Sequence, residues 1–141
     1  MKKRRTTWFQ AGAAGLVLFG LGVGTGLVAQ TATDSPQRVE LKRADLSGAP
    51  GMEVIASVAE YKPGDVVDAH FHHGVETGYV LQGSTIQVPG KEPVTLTTGT
   101  PLLNLREAVH GGWKVVGDTS LKLYTVHVVD KGKPLYDRSQ K

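Results

Sequence analysis

The chain has 141 residues and no cysteine, which suits one domain and excludes disulfides, thiolate metal ligands and a cysteine nucleophile. Its net charge is +3, but four of the sixteen basic residues lie together at positions 2–5, and without them twelve basic residues face thirteen acidic ones. A near-neutral domain without a basic stripe lacks what phosphate binding requires, so we expect no nucleic-acid partner.

The first 29 residues have the layout of a secretory signal. The basic residues at 2–5 precede an uncharged apolar run at 11–29, and such a segment enters the membrane with its basic end left in the cytoplasm. Neither Ala29 nor Ala32 fits the small-x-small cleavage pattern, so residues 1–29 are either a signal peptide or an uncleaved inner-membrane anchor. We predict a periplasmic or secreted domain that meets the membrane only through this segment.

The rest of the chain has the pattern of an all-β fold. After a polar linker at 30–37, short runs rich in Val, Ile, Leu and Thr are separated by glycine and proline, which favours a sandwich or barrel. The predicted strands are 39–43, 53–61, 66–72, 78–82, 84–88, 94–97, 101–105, 112–116 and 121–129. We assign the domain to residues 38–135 and expect residues 136–141 to form a polar surface tail.

A group of metal-binding side chains follows the third predicted strand. His70 and His72 are two residues apart, so in an extended strand they share a face, while His73 points away. Gly74 permits a sharp turn that would return Glu76 to the side of the two histidines. Two imidazoles and a carboxylate on one side predict a metal site, because histidine is only moderately often buried and Glu is rarely buried unpaired.

These residues resemble the cupin family. The first cupin motif, G-x5-H-x-H-x3-E-x6-G, is matched without a gap by Gly64, His70, His72, Glu76 and Gly83. The second motif, G-x5-P-x-G-x2-H-x3-N, is matched only at Gly99 and His110; its other fixed positions hold Leu105, Glu107 and Lys114. The resemblance implies a cupin jelly-roll β-barrel, often a homodimer, with His110 as the fourth ligand of an ion inside.

The ligand set limits which ion is expected. Three imidazoles and one carboxylate without sulfur suit one divalent transition-metal ion, Fe, Mn, Ni, Cu or Zn, and disfavour Ca or Mg, which require oxygen ligands. Four protein ligands leave two positions open on a six-coordinate ion, as a catalytic site requires.

Several other residues are candidates around this site. Asp68 could support a histidine ligand, and His127 is either a structural histidine or part of the pocket; these two are the candidates for acid–base catalysis. Arg106 and Lys114 flank His110 at even spacing, so strand alternation could turn them towards the mouth, where cations would attract an anionic substrate. For these two, ordinary surface charge is the alternative. The same alternation predicts that the pocket is lined by Val66, Gly78, Val80 and Leu102. It predicts that Tyr79 and Trp113 face the outside of the barrel.

Two functions from different classes fit the sequence. The first is a metal-dependent enzyme acting on a small organic substrate, and the family resemblance favours a dioxygenase over an isomerase or a lyase. The second is a non-catalytic periplasmic protein that binds a metal or a ligand. An acid–base residue beside the substrate would distinguish an enzyme that moves protons.

Overall fold

The computed structural model describes Ser35 and residues 37–138. Over these residues the chain forms nine strands: β1 (Val39–Asp45), β2 (Met52–Tyr61), β3 (Val66–Val67), β4 (Gly74–Gln82), β5 (Ser84–Gln87), β6 (Val94–Leu96), β7 (Pro101–Asn104), β8 (Trp113–Val115) and β9 (Leu121–Asp130). One antiparallel sheet has the order β1-β2-β9-β4-β7, and the other has the order β3-β8-β5-β6. The all-β prediction and its nine strands are confirmed.

Seven of the predicted strands agree with the observed bounds to within two residues at each end, and two differ by more. The segment predicted at 66–72 is a strand only over Val66–Val67, and beyond it His70 forms an isolated bridge with His110. The segment predicted at 78–82 begins at Gly74, so this glycine is not the sharp turn that we expected. A Cβ atom at position 74 would collide with the backbone carbonyl of Val128 on β9. Glycine therefore permits the close approach of the two strands.

The barrel interior is built by strict alternation on the long strands. Every second residue of β2 and of β9 is buried, and the two strands pair along their whole length. Around Tyr61, Val80 and Leu121 the buried side chains form an apolar core. A second, smaller core around Ile55 and Val129 lies further along the same two strands. Between them the interior is polar, because Ser57, Thr125 and His127 point inwards.

Both ends of the predicted domain extend further than expected. Tyr136 is buried and Asp137 exchanges backbone hydrogen bonds with Phe71, so the predicted surface tail at 136–141 is wrong for these two residues. Ser35, placed in the linker at 30–37, is also buried, and its hydroxyl donates to the carbonyl of Glu60. Residues 1–29, the predicted signal or anchor, lie outside the described residues. Among the described residues, no helix has the length and apolarity to cross a membrane.

Candidate metal centre

The four predicted ligands come from three separate parts of the chain. His70 and His72 lie in the segment between β3 and β4, Glu76 lies on β4, and His110 lies between β7 and β8. The backbones of His70 and His110 donate hydrogen bonds to each other over 2.9 and 2.8 Å, and this bridge brings the two motifs together. Because the bridge uses only backbone atoms, it leaves both imidazoles available for binding.

Three of the histidines are fixed in one tautomer. The Nδ1 atoms of His70, His72 and His110 lie 2.8, 2.6 and 2.9 Å from backbone carbonyls of Asp68, Leu135 and Ala108, respectively. A carbonyl only accepts, so each Nδ1 donates a proton and each neutral ring presents an Nε2 lone pair. Histidines that bind metals are oriented in the same way.

The free nitrogens converge on the carboxylate. The Nε2 atoms of His72 and His110 are 3.1 Å apart, and each lies 3.3 Å from Oε2 of Glu76. Neighbouring ligands at right angles around an ion, with bonds of about 2.1 Å, are separated by roughly 3.0 Å. Facing lone pairs repel unless a cation lies between them. The geometry and the donor set therefore fit a transition-metal ion.

The ligand atoms form two overlapping groups that could hold an ion. His70, His72 and His110 form one, and His72, Glu76 and His127 form the other; within each, the ligand atoms lie within 4.8 Å of one another. The four predicted ligands are thus brought together around His72. His73 lies outside both groups and pairs with Asp137 at 3.0 Å, as expected for a residue that faces away.

Glu76 is held as a buried anion. Burial raises the pKa of its carboxyl, and proton donation from the imidazoles of His110, His127 and His72, when no cation lies between them and the carboxylate, lowers it by more, so that the pKa lies well below the usual range. In addition, the side-chain amide of Asn104 donates to Oε2 over 2.7 Å. Asn104 stands opposite Glu76 in the pairing of β4 with β7. No sequence motif indicates Asn104, because its role depends on that cross-strand register.

His127 belongs to the site. It is fully buried on β9, directly opposite Glu76 on β4, and its Nε2 lies 3.3 Å from Oε1 of the carboxylate. Burial lowers the pKa of this imidazole more than the neighbouring carboxylate raises it, which favours the neutral form of the ring. His127 does not line the cavity beside the site, and its contact with Glu76 places it beside a predicted ligand.

A cavity of about 200 Å³ opens beside the cluster. Its polar lining comes mainly from His70, Glu76, Asn104 and His110 at one end, while His72 and His127 lie behind them. Most of the remaining lining is apolar and consists of Val67, Ile86, Leu96, Leu102, Trp113, Leu121 and Leu123, with Tyr61 among them. The cavity therefore has a polar end beside the candidate ion and an apolar body.

Lys114 does not face this cavity. On β8 it is exposed, and Trp113 lines the cavity in its place, so the expected orientations of these two residues are reversed. Gly111 and Gly112 both have positive φ angles, 79° and 67°, and strand alternation therefore does not continue from His110 to Lys114. The register of β3 with β8 likewise leaves Val66 exposed and turns Val67 inwards.

Arg106 and Asp68 also lie away from the cavity. Both terminal nitrogens of Arg106 donate to the carboxylate of Asp130, over 2.9 and 2.8 Å, so its charge is paired outside the cavity. The Asp68 side chain is 67% exposed and lies 3.5 Å from the guanidinium of Arg138. The support that we expected Asp68 to give a ligand comes from its backbone carbonyl, which accepts from His70. Neither the carboxylate of Asp68 nor the guanidinium of Arg106 is placed to meet a substrate.

Comparison with known proteins supports the fold. No family model and no curated protein matches the chain. Among solved structures, it is similar to an uncharacterized conserved protein with a double-stranded β-helix domain from Klebsiella pneumoniae, with 14% identity over 77% of this chain and 89% of that one and a TM-score of 0.52.

Two further structures have lower scores. The polyketide cyclase RemF from Streptomyces resistomycificus is 16% identical over 77% of this chain and 75% of its own, with a TM-score of 0.48. A cupin domain from Bordetella pertussis is 14% identical over 69% of this chain and 98% of its own, with a TM-score of 0.44. Identities this low show the fold alone. The chain has a double-stranded β-helix fold.

Proposed function

We propose that this protein is a metal-dependent enzyme that acts on a small organic substrate in the cavity beside the ion. The observation that carries the proposal is that the pre-oriented imidazoles of His72 and His110 converge on Glu76, with His70 grouped beside them, next to an apolar cavity. A structural metal site is closed by its protein ligands. Here two of the imidazoles and the carboxylate border open space that a ligand can enter.

The side chains of the site have separate roles. His70, His72, His110 and Glu76 would hold one Fe, Mn, Ni, Cu or Zn ion, and Asn104 keeps the carboxylate in place through its 2.7 Å hydrogen bond. Tyr136 packs edge-on against the rings of His70 and His72, at centroid distances of 4.8 and 5.1 Å. These contacts restrict both rings to the orientations in which their Nε2 atoms face the site.

The cavity indicates the kind of substrate. Its apolar walls, including Leu102, Trp113 and Leu123, would exclude water and contact the carbon skeleton. The polar groups lie at one end, so a substrate with one polar head and a short apolar body would place its head against the ion. A volume of about 200 Å³ holds only a small molecule.

The lining favours an oxygenase over an isomerase or a lyase. Proton transfer to or from a substrate carbon needs an acid or base within hydrogen-bond reach. Among the described residues that line the cavity, Tyr61 is the one with an ionisable side chain besides the candidate ligands, and its hydroxyl accepts from Arg38 at 3.2 Å. A redox-active ion, when bound, would relay electrons from the organic substrate, which is oxidised, to dioxygen, which is reduced. The residues themselves would position the substrate head and keep water out.

A non-catalytic binding protein is the second candidate. The same lack of a free acid or base in the described lining would suit a site that binds and releases a ligand unchanged. Oxygen uptake that depends on a substrate, measured with protein loaded with Fe, Mn, Ni or Cu, separates the two functions. Saturable ligand binding without turnover under all four metals would support the binding protein.

Metal binding itself is tested by replacing one ligand. His72→Ala should lose the bound ion, while His73→Ala, the matched control at the neighbouring half-buried histidine that faces away from the site, should keep it. An ion present at a hundred times its Kd stabilises the folded state by about 2.7 kcal/mol, which raises the Tm of a domain this size by roughly 10 °C. We expect that increase in the wild type and in His73→Ala only. Equal metal content in both variants would contradict the assignment.

We also propose that the domain works outside the cytoplasm, in the periplasm or after secretion. The support is the basic group at 2–5 followed by the apolar run at 11–29. The homodimer that the family resemblance implies stays a prediction.

A further inference from the structure

His127 differs from the other buried polar residues of the barrel in its hydrogen bonding. It is fully buried, and neither Nδ1 nor Nε2 has a hydrogen-bond partner among the described residues. The carboxylate oxygen 3.3 Å from Nε2 is close, but the ring is not oriented to donate to it in a good hydrogen bond. A buried polar group without a partner destabilises the folded state. An ion facing Nε2 would give this buried ring a partner.

The strand register explains why the ring faces the site. On β9, His127 stands opposite Glu76 of β4 on one side and Ile55 of β2 on the other. Every second residue of β9 points inwards, so the imidazole of His127 lies in the interior of the barrel. Its ring centroid is 4.7 Å from that of His72. Two residues of β9 that flank it on the same face, Thr125 and Val129, offer no metal ligand.

The distances match those of a ligand. Oε1 of Glu76 lies 3.3 Å from Nε2 of His127, and Oε2 lies at the same distance from His72 and from His110. Neighbouring ligands of one ion are separated by roughly 3.0 Å. His127, Glu76 and His72 also form a compact group by themselves. A neutral imidazole there presents a lone pair, as a ligand must.

We infer that His127 is a fifth protein ligand of the ion, completing a set of four imidazoles and one carboxylate. This inference rests on the proposed function, since it requires that the site holds a metal. It goes beyond the ligand set that the two sequence motifs predict, because His127 lies in neither motif.

A fifth ligand changes what the site can bind. A six-coordinate ion with five protein ligands has one position left. His70, Glu76 and His110 line the cavity, whereas His72 and His127 do not, so the open position faces the cavity. A substrate would then attach through one donor atom, and its other contacts would be with Asn104 and the apolar walls. Zn and Co would also be accepted, because imidazole nitrogens bind divalent first-row transition metals in general.

The alternative is that His127 only positions Glu76. In that arrangement Nε2 would carry the proton and donate it to Oε1 once the ring had turned slightly, and Oε2 alone would bind the ion. Both arrangements predict weaker metal binding when His127 is replaced. They differ in the number of imidazoles around the ion, so the number of imidazoles must be measured directly.

X-ray absorption of the wild-type protein loaded with Co²⁺ or Zn²⁺ counts these imidazoles. We expect four, and three in His127→Gln, with the Kd for Co²⁺ weaker by about tenfold or more. His73→Gln is the matched control and should keep four imidazoles and the wild-type Kd. Three imidazoles in the wild type would overturn the inference and leave the proposed function intact. The wild-type spectrum decides the question even if His127→Gln does not fold, and a wild type without stoichiometric metal would refute both proposals.

Discussion

Replacing Asn104 by Ala should weaken metal binding without removing a ligand. The Asn104 amide donates a 2.7 Å hydrogen bond to Oε2 of Glu76, the oxygen that also lies 3.3 Å from His72 and His110. A hydrogen bond to a charged group contributes about 1.5–3 kcal/mol. Removing a partner of a metal ligand commonly lowers metal affinity by about 10- to 100-fold, which corresponds to roughly 1.4–2.7 kcal/mol. The two estimates agree, so we expect a Kd raised within that range.

The measurement is a titration of the metal-free protein with Zn²⁺ or Co²⁺ against a chelator, in the absence of any substrate. Omitting substrate matters because Asn104 also lines the cavity and could contact a bound molecule. Leu103→Ala is the control: it lies beside Asn104 on β7 and is 65% exposed, and we expect its Kd to be unchanged. A Kd for Asn104→Ala equal to that of Leu103→Ala would show that the hydrogen bond does not support the ligand.

Two further predictions concern stability and location. Glu107 is the one non-glycine described residue with a positive φ, 59°. This conformation destabilises the folded state by roughly 1–2 kcal/mol. Glycine would relieve that strain, but the greater conformational entropy of its unfolded chain offsets about 0.5–1 kcal/mol of the gain. We therefore expect Glu107→Gly to raise the free energy of unfolding, measured with urea, by up to about 1 kcal/mol. The control is Glu92→Gly, at an exposed position without positive φ, which should not raise it. Equal stability of the two variants would contradict this reasoning. Cell fractionation should recover the protein outside the cytosol, and mass spectrometry should show whether residues 1–29 have been removed. Recovery of most of the full-length chain in the cytosol would refute export.

The local part of the site could be predicted from the sequence. His70, His72 and Glu76 lie within seven residues, and their spacing suffices to suggest a common side. The strands could be predicted too, because apolar runs and glycine or proline breaks are local signals. Strand bounds near the site were less accurate, since β4 begins at Gly74 only because a glycine lets it approach Val128.

The long-range part of the site could not be predicted in this way. Asn104 and His127 meet Glu76 through the pairing of β4 with β7 and with β9, and no local pattern specifies those registers. Strand alternation counted from His110 predicts that Lys114 faces inwards. The count crosses two glycines whose positive φ angles break the alternation, so this prediction is wrong. Period-two reasoning holds inside a strand and fails across such a break.

The departures from the second cupin motif leave the ligand geometry intact because backbone atoms hold it. His110 is fixed by the paired backbone hydrogen bonds with His70 and by the carbonyl of Ala108. Glu107 occupies the position where the motif has glycine, and it keeps the positive φ that a glycine would adopt freely. Its backbone N–H donates to the carbonyl of His72 over 2.9 Å, so even the strained residue ties the loop to a ligand.

The same backbone contacts couple the metal centre to the fold as a whole. The orientation of His72 depends on the carbonyl of Leu135, which lies 63 residues away and beyond the last strand. The next residue, Tyr136, packs against the rings of His70 and His72 and is itself buried. Ligand orientation therefore requires the C-terminal segment to be in place. By linkage, an ion that binds the assembled ligands must in turn stabilise that segment against local unfolding.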